Sequence, residues 1–271
     1  MKLAKYIFLF IWFGAVAAAT ATIVGAFISF PAPAAPSTLT DGLMAYWPLD
    51  EASGTRADSH SNSLDLTDNN TVSQGTGHVY ANAADFEEAT FEYLSRASTD
   101  LLQPLSFSIS LWIKPEDLTG PVTPLISKYD ATDSEQSYLL YYYPPDNKLF
   151  WAVYENDGAG GPGGSVTQVI TAAYPMSSGS WYHIVVTLDD LNEIQLIIND
   201  GTPLTASMGE SMYQSSSDFG IGTIFDGGSP APGPPHYDGL MEATSFYNRV
   251  LTAAEITSLY NSGAGLKYTQ L

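Results

Sequence analysis

Apolar residues fall in short runs along most of the chain, cut by Gly, Pro, Asn, Asp and Ser, and inside the runs they alternate with polar neighbours. Phe107, Ile109, Leu111 and Ile113 alternate with Ser106, Ser108 and Ser110, the period of two of a strand with one buried face. Comparable runs occur at Met44–Leu49, Pro124–Tyr129, Tyr138–Tyr143, Leu149–Tyr154, Trp181–Leu188, Ile194–Ile198 and Leu240–Tyr247. Trp181–Leu188 has bulk on both faces and is expected inside a sheet. The first and last runs are expected to pair. Asp200-Gly201, after Ile194–Asn199, reads as a hairpin turn because glycine tolerates positive φ. One helix is predicted, from Ala253 to Ser262. Thr252-Ala253-Ala254-Glu255 forms its capping box, Leu251 and Ile256 its staple and Gly263 its stop. These elements predict an all-β sandwich closed by one short helix.

The first forty residues are different. Tyr6–Phe30 contains no formally charged residue, and Lys2 and Lys5 are the only charges before Asp41. As a helix the run is about 37 Å long, enough for a bilayer core of about 30 Å. Residues 1–30 are therefore expected to be an N-terminal hydrophobic helix, either a signal-anchor or a signal peptide. Ala15-Val16-Ala17 and Ala32-Pro33-Ala34 offer small-residue cleavage sites. The two leading lysines place the N-terminus in the cytoplasm. Both readings export the rest, to the membrane-anchored cell surface or, after cleavage, into the medium. Residues 31–41, rich in Pro and Ala, read as a linker. Residues 42–271 show neither a repeat nor a second break in composition and read as one domain.

Charge narrows the partners. Nine Lys+Arg stand against 29 Asp+Glu, a formal net charge of −20 in 271 residues. Nucleic acid is excluded as a partner on that balance, because phosphate binding needs basic residues to displace counterions. Cysteine is absent, so disulfides, thiolate metal sites and cysteine nucleophiles are excluded. Only 14% of residues are charged, while Gly, Pro and Tyr number 23, 17 and 17, which agrees with an all-β chain.

The ordered segments GLMAYWPLDEASGTRADSHSN, SFSISLWIKPEDL, LISKY, KLFWAVYE, GSWYHIVVTLDD, FGIG and DGLMEATSFYNRVLTAAEITSLY resemble the bacterial laminin-G-like family of concanavalin A-like jelly rolls, over about residues 42–263. The resemblance implies a two-sheet antiparallel jelly-roll β-sandwich. It also implies a structural calcium ion, with Asp58, Asn62 and Glu242 at the positions of the family's ligands, all oxygen donors suited to a hard cation. Here His60 and Ser63 replace glycines common in the first loop, and Glu242 replaces a shorter Asp. Asp58 and Asn62 are equally read as caps of turns.

Chemistry is sparse by comparison. The Glu-x-Asp-x-x-Glu run of laminarinase-type relatives is absent. Glu87, Glu88 and Glu92 are the remaining candidates for the paired carboxylates of a divergent glycosidase. His60, His78, His183 and His236 have no metal-binding spacing, and His183 reads as a packed core histidine. No catalytic residue is assigned. Aromatic rings stack on sugar faces, and the clusters at 138–143 and 150–154 make Tyr141, Tyr143 and Trp151 the candidate ligand contacts. Trp112, Trp181 and Phe107 are read as core. The expected function is a non-catalytic, lectin-like binding module for carbohydrate or a surface protein. The alternatives are a structural adhesin component or a divergent glycosidase. The loops Asn156–Ser165 and Asp226–Tyr237 are expected to rim the binding surface.

Overall fold

The computed structural model describes residues 38–120, 122–131, 135–156, 166–170, 174, 176–230 and 235–271. The expected hydrophobic helix and most of the linker lie outside the described residues, as do parts of both candidate rim loops. Among the described residues, no helix is long and apolar enough to cross a membrane.

In chain order the strands are β1 Leu43–Trp47, β2 Thr67–Asn69, β3 Ser73–Thr76, β4 Asn82–Phe86, β5 Tyr93–Arg96 and β6 Phe107–Pro115. Next come β7 Thr123–Tyr129, β8 Gln136–Tyr143, β9 Lys148–Tyr154, β10 Val166–Ile170, β11 Tyr182–Asp189 and β12 Glu193–Ile198. The last are β13 Leu204–Ser207, β14 Phe219–Ile221, β15 Phe225–Asp226, β16 Ser229–Pro230 and β17 Gly239–Tyr247, followed by helix α1 Ala253–Tyr260. They build an eight-stranded antiparallel sheet ordered β13-β12-β11-β6-β17-β4-β3, with β1 also on β17. Opposite it stands a seven-stranded antiparallel sheet ordered β10-β9-β8-β7-β14-β5-β2. The jelly-roll sandwich is as expected, and so is the pairing of the terminal strands, with Trp47 opposite Thr244.

A bulge in β17 lets one strand serve two partners. Its first half pairs with β4 and its second with β1, and the register shifts between Glu242 and Ser245. Ala243 takes φ 48° within it, a left-handed conformation uncommon for a residue other than glycine.

Between the sheets lies the main core, including Trp47, Phe107, Ile109, Leu111, Ile113, Tyr138, Trp151, Ile184, Val186 and Phe246. A second apolar layer covers the outer face of the eight-stranded sheet, where Leu251, Ile256 and Leu259 meet Trp112, Val185, Ile197 and Tyr247. This layer changes the reading of β6. Its alternation suggested one buried face, yet Ser108, Ser110 and Trp112 are buried too. The serines are satisfied inside the protein. Ser108 Oγ accepts from the Leu251 amide and donates to the Arg249 carbonyl, and Ser110 Oγ bonds His183 Nε2 at 2.8 Å.

The capping box forms as expected. Glu255 N donates to Thr252 Oγ1 and the Thr252 amide donates to Glu255 Oε2. Arg249 grips both oxygens of the same carboxylate. The helix ends earlier than expected, because Asn261 takes φ 48° and ends it before Gly263. The hairpin after β12 also turns by a different residue pair. Asn199 and Asp200 take φ 50° and 55°, and the Gly201 amide closes the turn on the Ile198 carbonyl. Asn and Asp tolerate this region through local side-chain hydrogen bonding.

Candidate functional site

The carboxylates expected to hold calcium are engaged with backbone. Asp58 Oδ1 accepts the amides of Tyr46 and His60, and Oδ2 accepts that of Leu64. Asn62 Nδ2 donates to the Met44 carbonyl at 2.8 Å. Glu242 is fully buried at the β17 bulge. Its Oε1 accepts the His78 and Val79 amides and its Oε2 that of Tyr80. Three successive amides pointing at one anion make a nest, which a side chain fills here. Burial raises the Glu242 carboxyl above its ordinary range, against the lowering effect of those three amides. Among the described residues, no three His, Asp or Glu side chains converge as a metal set. Asp58 and Asn62 thus order the loop after β1, and Glu242 orders the turn at 78–80.

Among the candidate ligand contacts, Trp151 is placed elsewhere. It is fully buried between the sheets, and its indole N–H donates to the Thr187 carbonyl at 3.0 Å. The alternation of β9 turns Leu149, Trp151 and Val153 inward and Phe150 and Tyr154 outward. On β8, Tyr138, Leu140 and Tyr142 belong to the core, while Tyr141 and Tyr143 are half-buried on the outward face. Tyr141 stands directly opposite Phe150, with ring centroids 4.7 Å apart and planes 9° apart, and Tyr143 meets Phe150 edge-on at 6.3 Å. Toward the other end of the strands, Tyr129 and Tyr154 pack at 5.4 Å. Five half-buried rings thus occupy one sheet face. Burial, followed by the neighbouring Tyr129 and Tyr143 hydroxyls, raises the Tyr141 phenol.

The strip leads to a cavity that the sequence did not flag. Asp130 follows Tyr129, bridges to Phe225, and accepts the Gly227 and Gly228 amides with its two oxygens. Tyr213 bonds the Tyr154 carbonyl through its amide and reaches Glu135 Oε1 through its hydroxyl. Asp130, Glu135, Ser216, Ser217, Asp218 and Phe225 line a space of about 130 Å³. Beneath it Lys128 is fully buried, and its ammonium donates to Ser98 Oγ and to the Ser215 and Ser217 carbonyls. Burial lowers the Lys128 pKa to about 8, while Asp218, Glu135 and Asp100 work to raise it. These residues come from segments almost a hundred positions apart, so no local spacing announced them.

The glycosidase candidates lie on another edge. Glu92 is buried, with its oxygens accepting from the Glu87 amide and the Thr90 hydroxyl. Glu87 and Glu88 sit around the short turn at 88–90, and burial followed by neighbouring carboxylates raises both. His183 is a core histidine as expected. It stacks on Trp112 at 5.0 Å, and burial lowers its pKa to about 3.

Comparisons with known proteins follow this geometry. The Laminin_G_3 family model, described as the concanavalin A-like lectin/glucanases superfamily, matches residues 88–257. No curated protein matches the chain. Among solved structures, the binding domain of Paraclostridial Mosquitocidal Protein 1 superposes with TM-score 0.66 at 17% identity, covering 83% of this chain and 53% of that one. Domain 4 of AbnA, a GH43 extracellular arabinanase from Geobacillus stearothermophilus, in complex with arabinotriose, gives TM-score 0.54 at 17% identity and covers 80% and 97%. The binding domain of botulinum neurotoxin DC in complex with SialylT gives TM-score 0.58 at 13% identity and covers 86% and 53%. The chain spans about half the length of these toxin binding domains. At such identities the likeness is one of fold.

Proposed function

Since the chain belongs to the concanavalin A-like lectin/glucanase superfamily, we propose that it is a non-catalytic binding module for glycan, held on the outward face of the seven-stranded sheet. The aromatic strip carries this reading. Tyr129, Tyr141, Tyr143, Phe150 and Tyr154 remain half-buried on that face, whereas helix α1 roofs the opposite outer face. Aromatic faces attract the C–H groups of a sugar ring, and tyrosine adds a hydroxyl that bonds sugar oxygens. From Tyr143 to Gln136 strand β8 extends about 23 Å at about 3.3 Å per residue, room for several rings. The arabinotriose held by domain 4 of AbnA supports starting with short oligosaccharides. A net charge of −20 favours neutral or basic glycans over acidic polymers. Export, with tethering to the membrane or release, rests on the uncharged run Tyr6–Phe30 behind two lysines.

The test is a glycan array on the full chain, in calcium and in chelator, followed by titration calorimetry. Binding to a defined sugar class is expected. Tyr141→Ala and Phe150→Ala should each weaken it about five- to tenfold, with unfolding temperatures within a few degrees of the parent. Silence of the folded protein across the array would overturn the reading, and self-association in its place would point to a structural surface role.

A further inference from the structure

One end of the aromatic strip carries charge. Strand β8 ends at Tyr143, and Lys148, the first residue of β9, stands directly opposite it. Alternation along β9 puts Lys148 on the same outward face as Phe150. Its ammonium lies 3.4 Å from Asp146 Oδ2, in the turn that joins the two strands. The two side chains are 35% and 53% exposed, so both heads meet solvent beside the rings. Among the described residues, no other ion pair involves β8, β9 or the turn between them.

The turn holds this pair in place. Pro144 and Pro145 fix two φ angles, Asn147 takes φ 53°, and its amide closes on the Pro144 carbonyl at 3.1 Å. The hydroxyl of the core residue Tyr142 donates to Asn147 Oδ1 at 3.0 Å, which ties the turn to the sandwich. The ion pair itself is longer than the range of about 2.7–2.9 Å of a charge-assisted hydrogen bond. An ammonium has three protons and a carboxylate about four acceptor sites, so both heads keep bonding capacity toward a ligand. Tyr143 and Phe150 meet at 88°, a corner for the apolar face of one sugar ring, with the donor and the acceptor at its margin. A donor and an acceptor side by side match a vicinal diol. One hydroxyl donates to the carboxylate while the neighbouring oxygen accepts from the ammonium. The opposite charges offset each other, so the pair suits hydroxyls rather than a charged group.

Resting on the glycan reading above, we propose that Asp146 and Lys148 form the orienting clamp of the strip. The sugar unit stacked against Tyr143 and Phe150 presents two adjacent free hydroxyls to the pair, one to each head. The remaining units lie along Tyr141 toward Tyr154. Stacking holds the chain of the glycan, and the clamp sets its selectivity. A neutral glycan with adjacent free hydroxyls at that unit is taken, and one with those hydroxyls methylated or acylated is rejected.

The probes are arabinotriose and cellotriose, one furanose and one pyranose chain, each unmodified and fully O-methylated, titrated calorimetrically into the full chain. An unmodified trisaccharide is expected to bind about tenfold tighter than its methylated form, the scale of one hydrogen bond to a charged group. Asp146→Ala with Lys148→Met should remove that preference, weakening the unmodified probe about tenfold and leaving the methylated one unchanged. Glu116→Ala with Lys114→Met removes an ion pair away from the strip and should leave the preference intact. Phe150→Ala should weaken both forms alike, since it removes stacking alone. Parent-like affinity and preference in the Asp146–Lys148 variant overturns the clamp and leaves the strip reading standing. Equal weakening of both forms in that variant overturns it too, because a distorted turn rather than a lost diol contact is then the cause. Binding of neither unmodified trisaccharide to the folded chain overturns this proposal, while the array decides whether the strip holds other glycans.

Discussion

Single side chains show how similar residues acquire different tasks. Trp151 and Phe150 are neighbours in sequence, yet one fills the core and the other faces outward, because successive strand residues point to opposite sides. Both belong to one aromatic cluster, and Trp151 was the expected sugar contact of the two; their phase against the partner sheet reverses that order. Glu242 is the other instructive residue. Its position was legible from the resemblance, but its three amide partners come from a turn more than 160 residues away. Glu242→Gln would set an amide N–H2 against either the Tyr80 amide or the other two. We expect a loss of about 1–3 kcal/mol in urea unfolding, the range for leaving a buried donor unsatisfied. Because the nest is filled by a side chain, we expect the same unfolding temperature in calcium and in chelator. A calcium-dependent rise that Glu242→Gln abolishes would return the residue to a metal-ligand role.

At the level of elements, local signals read best where the chain supplies both partners. The box between Thr252 and Glu255 spans four residues, and Arg249 completes it from six residues away. Thr252→Ala should destabilise the fold by about 1 kcal/mol, the usual cost of a lost cap, measured as a shift of the urea midpoint at unchanged slope. An unchanged midpoint would mean that Arg249 and Leu251 seat the helix without the cap. Element ends were less legible. Left-handed geometry fell on Asn199 and Asp200 although Gly201 stood nearby, and at the helix end it began at Asn261, two residues before Gly263. The position of a turn follows the register that sheet and helix packing impose, and Asn and Asp can adopt the conformation that register requires.

For the molecule as a whole, charge is the dominant variable. Asp85, Glu87, Glu88, Glu92 and Asp238 are all raised above ordinary carboxyl values, first by burial, and neighbouring acids add to it in each case. The native protein therefore holds their protons more tightly than the unfolded chain. Their ionisation destabilises the fold at neutral pH, and that penalty is relieved as pH falls through the raised values toward the ordinary range near about 4. His183 acts in the opposite sense. With its pKa lowered to about 3, it stabilises the fold above the unfolded value of about 6.5, and that contribution is lost as pH falls between the two. Glu87→Gln with Asp238→Asn should raise the unfolding temperature relative to the parent at pH 7, and the gain should vanish by about pH 4. A gain that is the same at both pH values would remove the electrostatic explanation.

The period-two runs, the turn residues and the capping box were sufficient to establish an all-β sandwich with one closing helix, and the motif order identified its superfamily. Those features are local, since side-chain alternation and cap geometry depend on residues a few positions apart. Which sheet face stays open, whether β6 buries one side or two, and which carboxylates share a cavity depend on contacts between distant segments. Helix α1 covers the serine face of β6, and Asp130, Glu135, Asp218 and Phe225 meet because β7, β8 and β14 are adjacent in the sheet. Long-range strand order has no period along the chain, so the ring strip and its acidic end emerge only when the sheets close over a common core.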